Sequence, residues 1–249
     1  MQMRIVIPSR KRPAECARAL KLFPEATVTV AESEVPVYEH LRGELVPHPD
    51  EVAGIGPIRQ WVLDHFKEEV IVMVDDDIVH VRCPVGHVSK SHVIIDAAAI
   101  RQILINSAQI AKDMGTAVFG FDQSGGDTRK FRVHDPFGLN SWTGGVIGIV
   151  GRSLRYDTSL LLRADIDYCL KCLLKHRIVF IDRRFSFVHK RFTNSGGNDH
   201  VRSAQRSQAE IDRLKDRWGS WLGVEEAKTT IKLKVKVRRR QTGRGQTDG

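Results

Sequence analysis

Apolar residues along the chain fall into short runs that alternate with longer segments of helical spacing. "RIVIP" (4–8), "TVTVAE" (27–32), "ELVPH" (44–48) and "VIVMV" (70–74) read as strands. Between them, "PAECARALKLF" (13–23) and "GPIRQWVLDHF" (56–66) repeat apolar residues every three or four positions, as amphipathic helices do. "DAAAIRQILINSAQIAKDM" (96–114) is a further helix with Asp96 placed to cap it, and Pro13 and Pro57 stand where a first helical turn begins. Such alternation predicts an α/β fold, a mostly parallel sheet covered by helices on both faces. The second half is more mixed, with strands at "AVFGFD" (117–122), "GGVIGIVG" (144–151) and "RIVFIDRRFSFVH" (177–189) and a helix at "ADIDYCLKCLLKH" (164–176). A connection rich in Gly, Asp and Ser runs from Asp122 to Gly144, and long connections in compact domains tend to be functional. "RFTNSGGNDHVRS" (191–203) reads as a lid, and Ile211, Leu214, Trp218, Trp221 and Leu222 form the apolar stripe of a last helix that packs on the body.

The chain has 249 residues, 41% of them hydrophobic, which suits one sizeable domain. Its net charge of +9 is concentrated at one end: residues 228–249 carry eight Lys or Arg against Asp248, leaving +2 for the remainder. The expected division is a body over 1–225 and a basic strand or tail over 226–249. That tail suits either a polyanionic partner or, in "TIKLKVKV", a strand blunted by lysines. No apolar run approaches the roughly 20 residues of a membrane span, and the N-terminus lacks the layout of an export signal, so a cytoplasmic protein is expected. Cys16, Cys83, Cys169 and Cys172 are too scattered for a disulfide framework. Cys169 and Cys172 fall at helical spacing among leucines, which makes them small buried thiols.

One short segment changes this picture. "VIVMV" runs straight into Asp75, Asp76 and Asp77. Adjacent carboxylates repel one another unless a cation offsets them or the strand is emerging into water, and in parallel sheets ligands sit beyond the carboxyl ends of the strands. Side chains alternate along a strand, so Asp75 and Asp77 face one side and Asp76 the other. A shared Mg2+ or Mn2+ fits the first two, and such ions commonly take the rest of their shell from phosphates. Arg59, in a first helical turn, is placed to meet a diphosphate. Asp165 stands at a helix entrance, where an N-cap role is the alternative, and His189 ends a strand where an imidazole completes a metal shell.

Taken together, these pieces resemble a GT-A-fold glycosyltransferase of the large family-2 type, over roughly residues 3–192. The resemblance implies that "RIVIPSRKRP", with Pro8, Ser9 and Arg10, meets the nucleotide, that Glu32 meets its base or ribose, and that Arg59, Asp75 and Asp76 serve the donor. It further implies metal binding by Asp75, Asp77 and His189 and a catalytic base at Asp165. "TGGVIGIVGRSL", with Gly144 and Gly145, is similar to the glycine stretch beneath the acceptor. Ala164 stands where the family has Glu in its x-E-D motif, which leaves Asp165 as the catalytic match and Asp167 as a substitute. A narrower resemblance is to phage TET-associated glycosyltransferases acting on hydroxymethylated pyrimidines in DNA. It implies a UDP-sugar donor, UDP-glucose first, a Mn2+ or Mg2+ cofactor, a DNA acceptor, work in the host cytoplasm, and direct displacement with inversion. The cations Arg129, Arg132 and Lys190 and the ring of Trp142 are the expected acceptor contacts. A lipid-linked or polysaccharide acceptor, and a DNA-binding module without catalysis, remain as alternatives.

Overall fold

The computed structural model of the chain describes residues 1–85, 91–190, 203–227 and 230–236. Its first half winds as β1 (Met3–Pro8), α1 (Pro13–Leu22), β2 (Thr27–Ala31), the single turn α2 (Val35–Tyr38), β3 (Glu44–His48), α3 (Ile55–His65) and β4 (Val70–Val74). There follow β5 (Ile78–Cys83), β6 (His92–Ile94), α4 (Ala97–Asp113), β7 (Val118–Asp122), β8 (Phe137–Gly138), β9 (Val146–Val150), α5 (Ala164–His176) and β10 (Phe180–His189). Helix α6 (Ala204–Trp218) and the hairpin β11 (Leu222–Ala227) and β12 (Thr230–Val235) complete the described chain.

One sheet runs β3-β2-β1-β4-β9-β7-β10-β5-β6, with β8 attached to β10. The half from β3 to β4 is parallel, as the alternation of strands and helices predicts. β9 then inserts antiparallel between β4 and β7, pairing Val74 with Val146 and Val70 with Val150. That register brings Gly145 beside the end of β4, where its carbonyl accepts the Asp75 amide at 2.7 Å. β5 and the edge strand β6 add antiparallel pairings beyond β10 that the sequence pattern did not announce.

Alternate residues of each central strand serve two cores. Ile5, Ile7, Val70, Val72 and Val74 face α1 and α4 through Cys16, Leu20, Phe23, Ile100 and Leu104. Val6, Ile71, Met73, Val118 and Ile147 face α3, α5 and α6 through Val62, Leu63, Ile166, Leu170, Ile211 and Leu214. A sheet covered this way buries both faces, which is why the central strands are apolar throughout rather than alternating. Pro13 opens α1, and the Asp96 side chain accepts the Ala99 amide at 2.7 Å to cap α4, both as expected. Cys16, Cys169 and Cys172 are buried and free, and burial raises each thiol's pKa.

The apolar stripe predicted over 211–222 divides in the structure, since α6 stops at Trp218 and Leu222 already belongs to β11. β11 and β12 form a separate two-stranded sheet that straddles residue 225. The lid expected over 191–203 falls, apart from Ser203, outside the described residues, as does the basic end beyond 236. Among the described residues no helix is long and apolar enough to cross a membrane.

Candidate active site

Residues 75–77 form the tight turn between β4 and β5 at the carboxyl edge of the parallel strands, and the backbone holds it at both ends. Besides the Asp75 bond to Gly145, the Asp77 carbonyl accepts the Lys190 amide at 2.9 Å. The alternation expected of a strand survives in this turn: Asp75 and Asp77 share one side and Asp76 faces away. His189 Nδ1 lies 2.8 Å from Asp77 Oδ1 and 3.9 Å from Asp75 Oδ2. One ligand atom from each of the three lies within 4.8 Å of the others. Gly145 makes this approach possible, because a Cβ there would stand 2.1 Å from His189 Cε1, and its φ of +71° is one that glycine adopts readily. Two carboxylate oxygens and one imidazole nitrogen converging on a single space suit a Mn2+ or Mg2+ ion.

Asp76 turns into a buried polar nest under the loop after β1. Ser9 Oγ donates to Asp76 Oδ2 at 2.6 Å, Arg12 Nη1 stands 3.6 Å from Oδ1, and the Tyr38 hydroxyl joins Ser9 at 2.9 Å while accepting the Arg12 amide at 2.8 Å. Burial, only partly offset by Ser9 and Arg12, pushes the Asp76 carboxyl up to about 7. Lys11 adopts a left-handed φ of +54°, held by Glu34, which accepts the Lys11 amide at 2.7 Å and lies 3.6 Å from Arg10 Nε. Pro8, Ser9 and Arg10, expected to meet the nucleotide, stand at this end of β1, where Ser9 meets Asp76 and Arg10 meets Glu34. Glu32 is exposed, and Glu34, two residues on along the same short turn, is the acid that reaches inward. No sequence feature separates the two glutamates, since the choice depends on how the turn lands against residues 10 and 11.

Arg59 links the acidic turn to helix α5. Only 5% of it is exposed, with Nη1 2.8 Å from Asp165 Oδ1 and Nη2 3.3 Å from Asp75 Oδ1. Burial works against its charge, but Asp165, Tyr156 and Asp75 outweigh it and hold the guanidinium above its ordinary pKa. Asp165 sits in the first turn of α5 and is not its N-cap, a position taken by Arg163. Burial raises its carboxyl to about 6, against the pull of Arg59. Asp167 lies on another side of α5, fully buried against Arg217 (2.8 Å), Trp218 Nε1 (3.0 Å) and Lys171 (2.7 Å), so it docks α6 and stands apart from the acidic turn.

A cavity of about 260 Å3 is lined by Phe121, Asp122, Gln123, Ser124, Ser141, Trp142, Ile181 and Arg183. One wall residue, Trp142, approaches the carboxylate of Asp165 across Gly144, where a Cβ would lie 3.2 Å from Trp142 Cζ3 and 3.6 Å from Asp165 Oδ2. Trp142 and Gly144 are therefore brought to the candidate site. Arg129 and Arg132 are exposed on the 122–144 connection, where Arg129 pairs with Asp127 at 3.0 Å, and Lys190 is exposed just past His189. Arg183, which no motif singled out, is the cation that lines the cavity.

Residues 3–198 match the family model described as TET-Associated Glycosyltransferase. No curated protein matches the chain. Among solved structures, a mannosyltransferase from Pyrobaculum calidifontis in complex with GDP-Man and Mn2+ is similar with a TM-score of 0.50 and 14% identity, over 76% of this chain and 58% of that one. Glucosyl-3-phosphoglycerate synthase from Mycobacterium tuberculosis, in complex with Mn2+, UDP and phosphoglyceric acid, is similar with a TM-score of 0.50 and 11% identity, over 94% and 86%. S. aureus TarS is similar with a TM-score of 0.46 and 13% identity over 73% of this chain, which spans 58% of the TarS chain.

Proposed function

The chain belongs to the TET-associated glycosyltransferase family and has the GT-A fold, and from that premise we propose that it moves a sugar, glucose first, from its UDP conjugate to the hydroxyl of a 5-hydroxymethylpyrimidine in DNA. The observation that carries this reading is Arg59, a buried cation joined on one side to Asp75 of the acidic turn and on the other to Asp165. A leaving diphosphate and an attacking hydroxyl belong on those two sides of an anomeric carbon.

Asp75, Asp77 and His189 would hold Mn2+ or Mg2+, which when bound supplies positive charge against the departing diphosphate. Arg59 adds a second positive charge whose effect grows as the bond to the sugar breaks. Ser9 and Asp76 orient the nucleoside end of the donor, with Arg10 held toward it by Glu34. Asp165 keeps Oδ1 on Arg59 and takes the acceptor proton at Oδ2, the oxygen facing Gly144 and Trp142. A hydroxyl is a weak nucleophile near neutral pH, so a base at this point raises the rate. Direct attack of this kind inverts the anomeric centre.

The cavity supports a planar acceptor over a lipid-linked sugar. Its wall combines an indole with an amide, two hydroxyls and a guanidinium, groups that stack on and hydrogen-bond to a base taken out of the duplex. The test is incubation with 5-hydroxymethylcytosine DNA, a panel of UDP-sugars and Mn2+, followed by mass spectrometry of the released nucleosides. A nucleoside heavier by one sugar residue, lost in Asp77→Ala, is the expected result. Transfer only to a lipid-linked or polysaccharide acceptor offered in parallel rules the DNA reading out.

A further inference from the structure

Helix α5 starts without a cap of its own, since Arg163 at the N-cap position makes no capping hydrogen bond through its side chain. The segment that leads into it, residues 161–163, is held instead from another helix. Glu210, within α6, accepts the Leu161 amide at 2.8 Å and the Arg163 amide at 3.0 Å, and both its oxygens accept Leu162, at 3.1 and 3.2 Å. The residue is 6% exposed, so these amides take the place of its hydration. The opposite side of the same segment holds α3: the Leu161 carbonyl accepts the Ile55 amide at 2.8 Å and the Leu160 carbonyl accepts Gly56 at 3.1 Å. Contact there is close enough that a Cβ on Gly56 would stand 2.4 Å from the Asp157 carbonyl. Residues 160–163 are therefore clamped between the helix that carries Arg59 and the helix that carries Glu210, and two residues further on stands Asp165.

We propose that Glu210 is a positioning residue of the transfer reaction: by gathering the amides of 161–163 it fixes the start of α5, and with it the Asp165 carboxylate, against Arg59. This rests on Asp165 being the base. It also extends the catalytic architecture past residue 198, where the family match ends, into α6. A carboxylate suits the task better than an amide would. Glutamine offers one accepting oxygen, and its NH2 group would point a donor at a backbone donor.

The same two helices are docked a second time through Arg217, which meets Asp167 at 2.8 Å and also Asp157 at 2.7 Å, so its loss loosens α6 while leaving the Glu210 bonds to 161–163 in place. The experiment takes wild type, Glu210→Gln and Arg217→Gln through steady-state transfer, UDP binding by calorimetry, thermal unfolding and amide hydrogen exchange. Glu210→Gln is expected to lower kcat at least about tenfold while KM for the UDP-sugar and UDP affinity stay within about twofold, the pattern of an interaction needed in the transition state. Exchange should quicken at residues 161–166. Arg217→Gln should lower the melting temperature at least as much and keep kcat within about twofold of wild type. A wild-type kcat in Glu210→Gln, or kcat losses that follow melting temperature in both variants, overturns the proposal. If Glu210→Gln does not fold, Glu210→Asp, which keeps the charge and shortens the reach, is judged by the same criteria. Hydrolysis of the UDP-sugar, with water as acceptor, uses the same base. Run that way, the comparison stands even if DNA proves the wrong acceptor, and wild-type transfer to DNA is scored separately.

Discussion

Asp165 carries two opposing demands in one carboxylate. Burial holds its pKa up at about 6 against an ordinary 3.8, while Arg59 keeps it ionised at neutral pH. As the proposed base it must be ionised, so transfer should fall as pH drops through about 6, seen as an acid limb in kcat/KM against pH. Asp165→Asn should remove that limb and slow transfer by roughly 10²–10⁴-fold while leaving UDP affinity nearly intact. A large loss of UDP affinity in that variant would assign the residue to the donor instead. Stability moves in the other direction. Because the folded pKa lies above the unfolded one, the fold favours the protonated acid, so this group's contribution is full below about 3.8 and is lost as pH rises to about 6. Residues whose placement follows from local spacing were legible in the sequence: Asp75 and Asp77 by strand alternation, His189 and Arg59 by their positions at element ends. Glu34, Tyr38, Arg183 and Glu210 were not. Each acts on a partner some 23 to 49 positions away, or on a cavity that exists only once the sheet has formed.

Among the elements, β9 shows how a short strand can set the geometry of a site. Its entry at Gly145 passes so close to the end of β10 that a single methyl group displaces His189. Gly145→Ala should therefore weaken Mn2+ binding by about tenfold or more, read by paramagnetic resonance titration, and destabilise the fold by about 1–3 kcal/mol through backbone strain. Gly115→Ala is the control: its φ of +67° brings similar strain, but nothing lies within 4 Å of the added methyl, so Mn2+ affinity should not change. Equal losses in both variants would mean that strain alone, and no contact with His189, governs the ion. The parallel half was legible because its strands are apolar runs separated by helices of clear period. β5, β6 and β8 were not, for a physical reason: β6 is an exposed edge, β8 is a two-residue pairing, and β5, though paired on both sides, buries only Ile78 and Val81, so no apolar pattern marks them.

For the molecule as a whole, charge and sheet continuity matter most. Residues 237–249 include Arg238, Arg239, Arg240 and Arg244, and a polyanionic acceptor would engage them through its phosphates. Retention of DNA should weaken linearly in log affinity against log salt, and a chain ending at 236 should lose up to roughly 3–4 units of that slope, about 0.9 per phosphate contact. An unchanged slope would place the contacts elsewhere. Finally, β10 runs the length of the site. Ile181 and Arg183 wall the cavity at one end and His189 meets the acidic turn at the other. Between them the pairing with β7 skips from Asp182 to Ser186, so the strand is keyed at one alignment. A slip of the whole strand by one residue, carrying both irregularities along, would move Arg183 and His189 together. On the proposed reading, such a slip would cost the acceptor wall and the ion ligand at once.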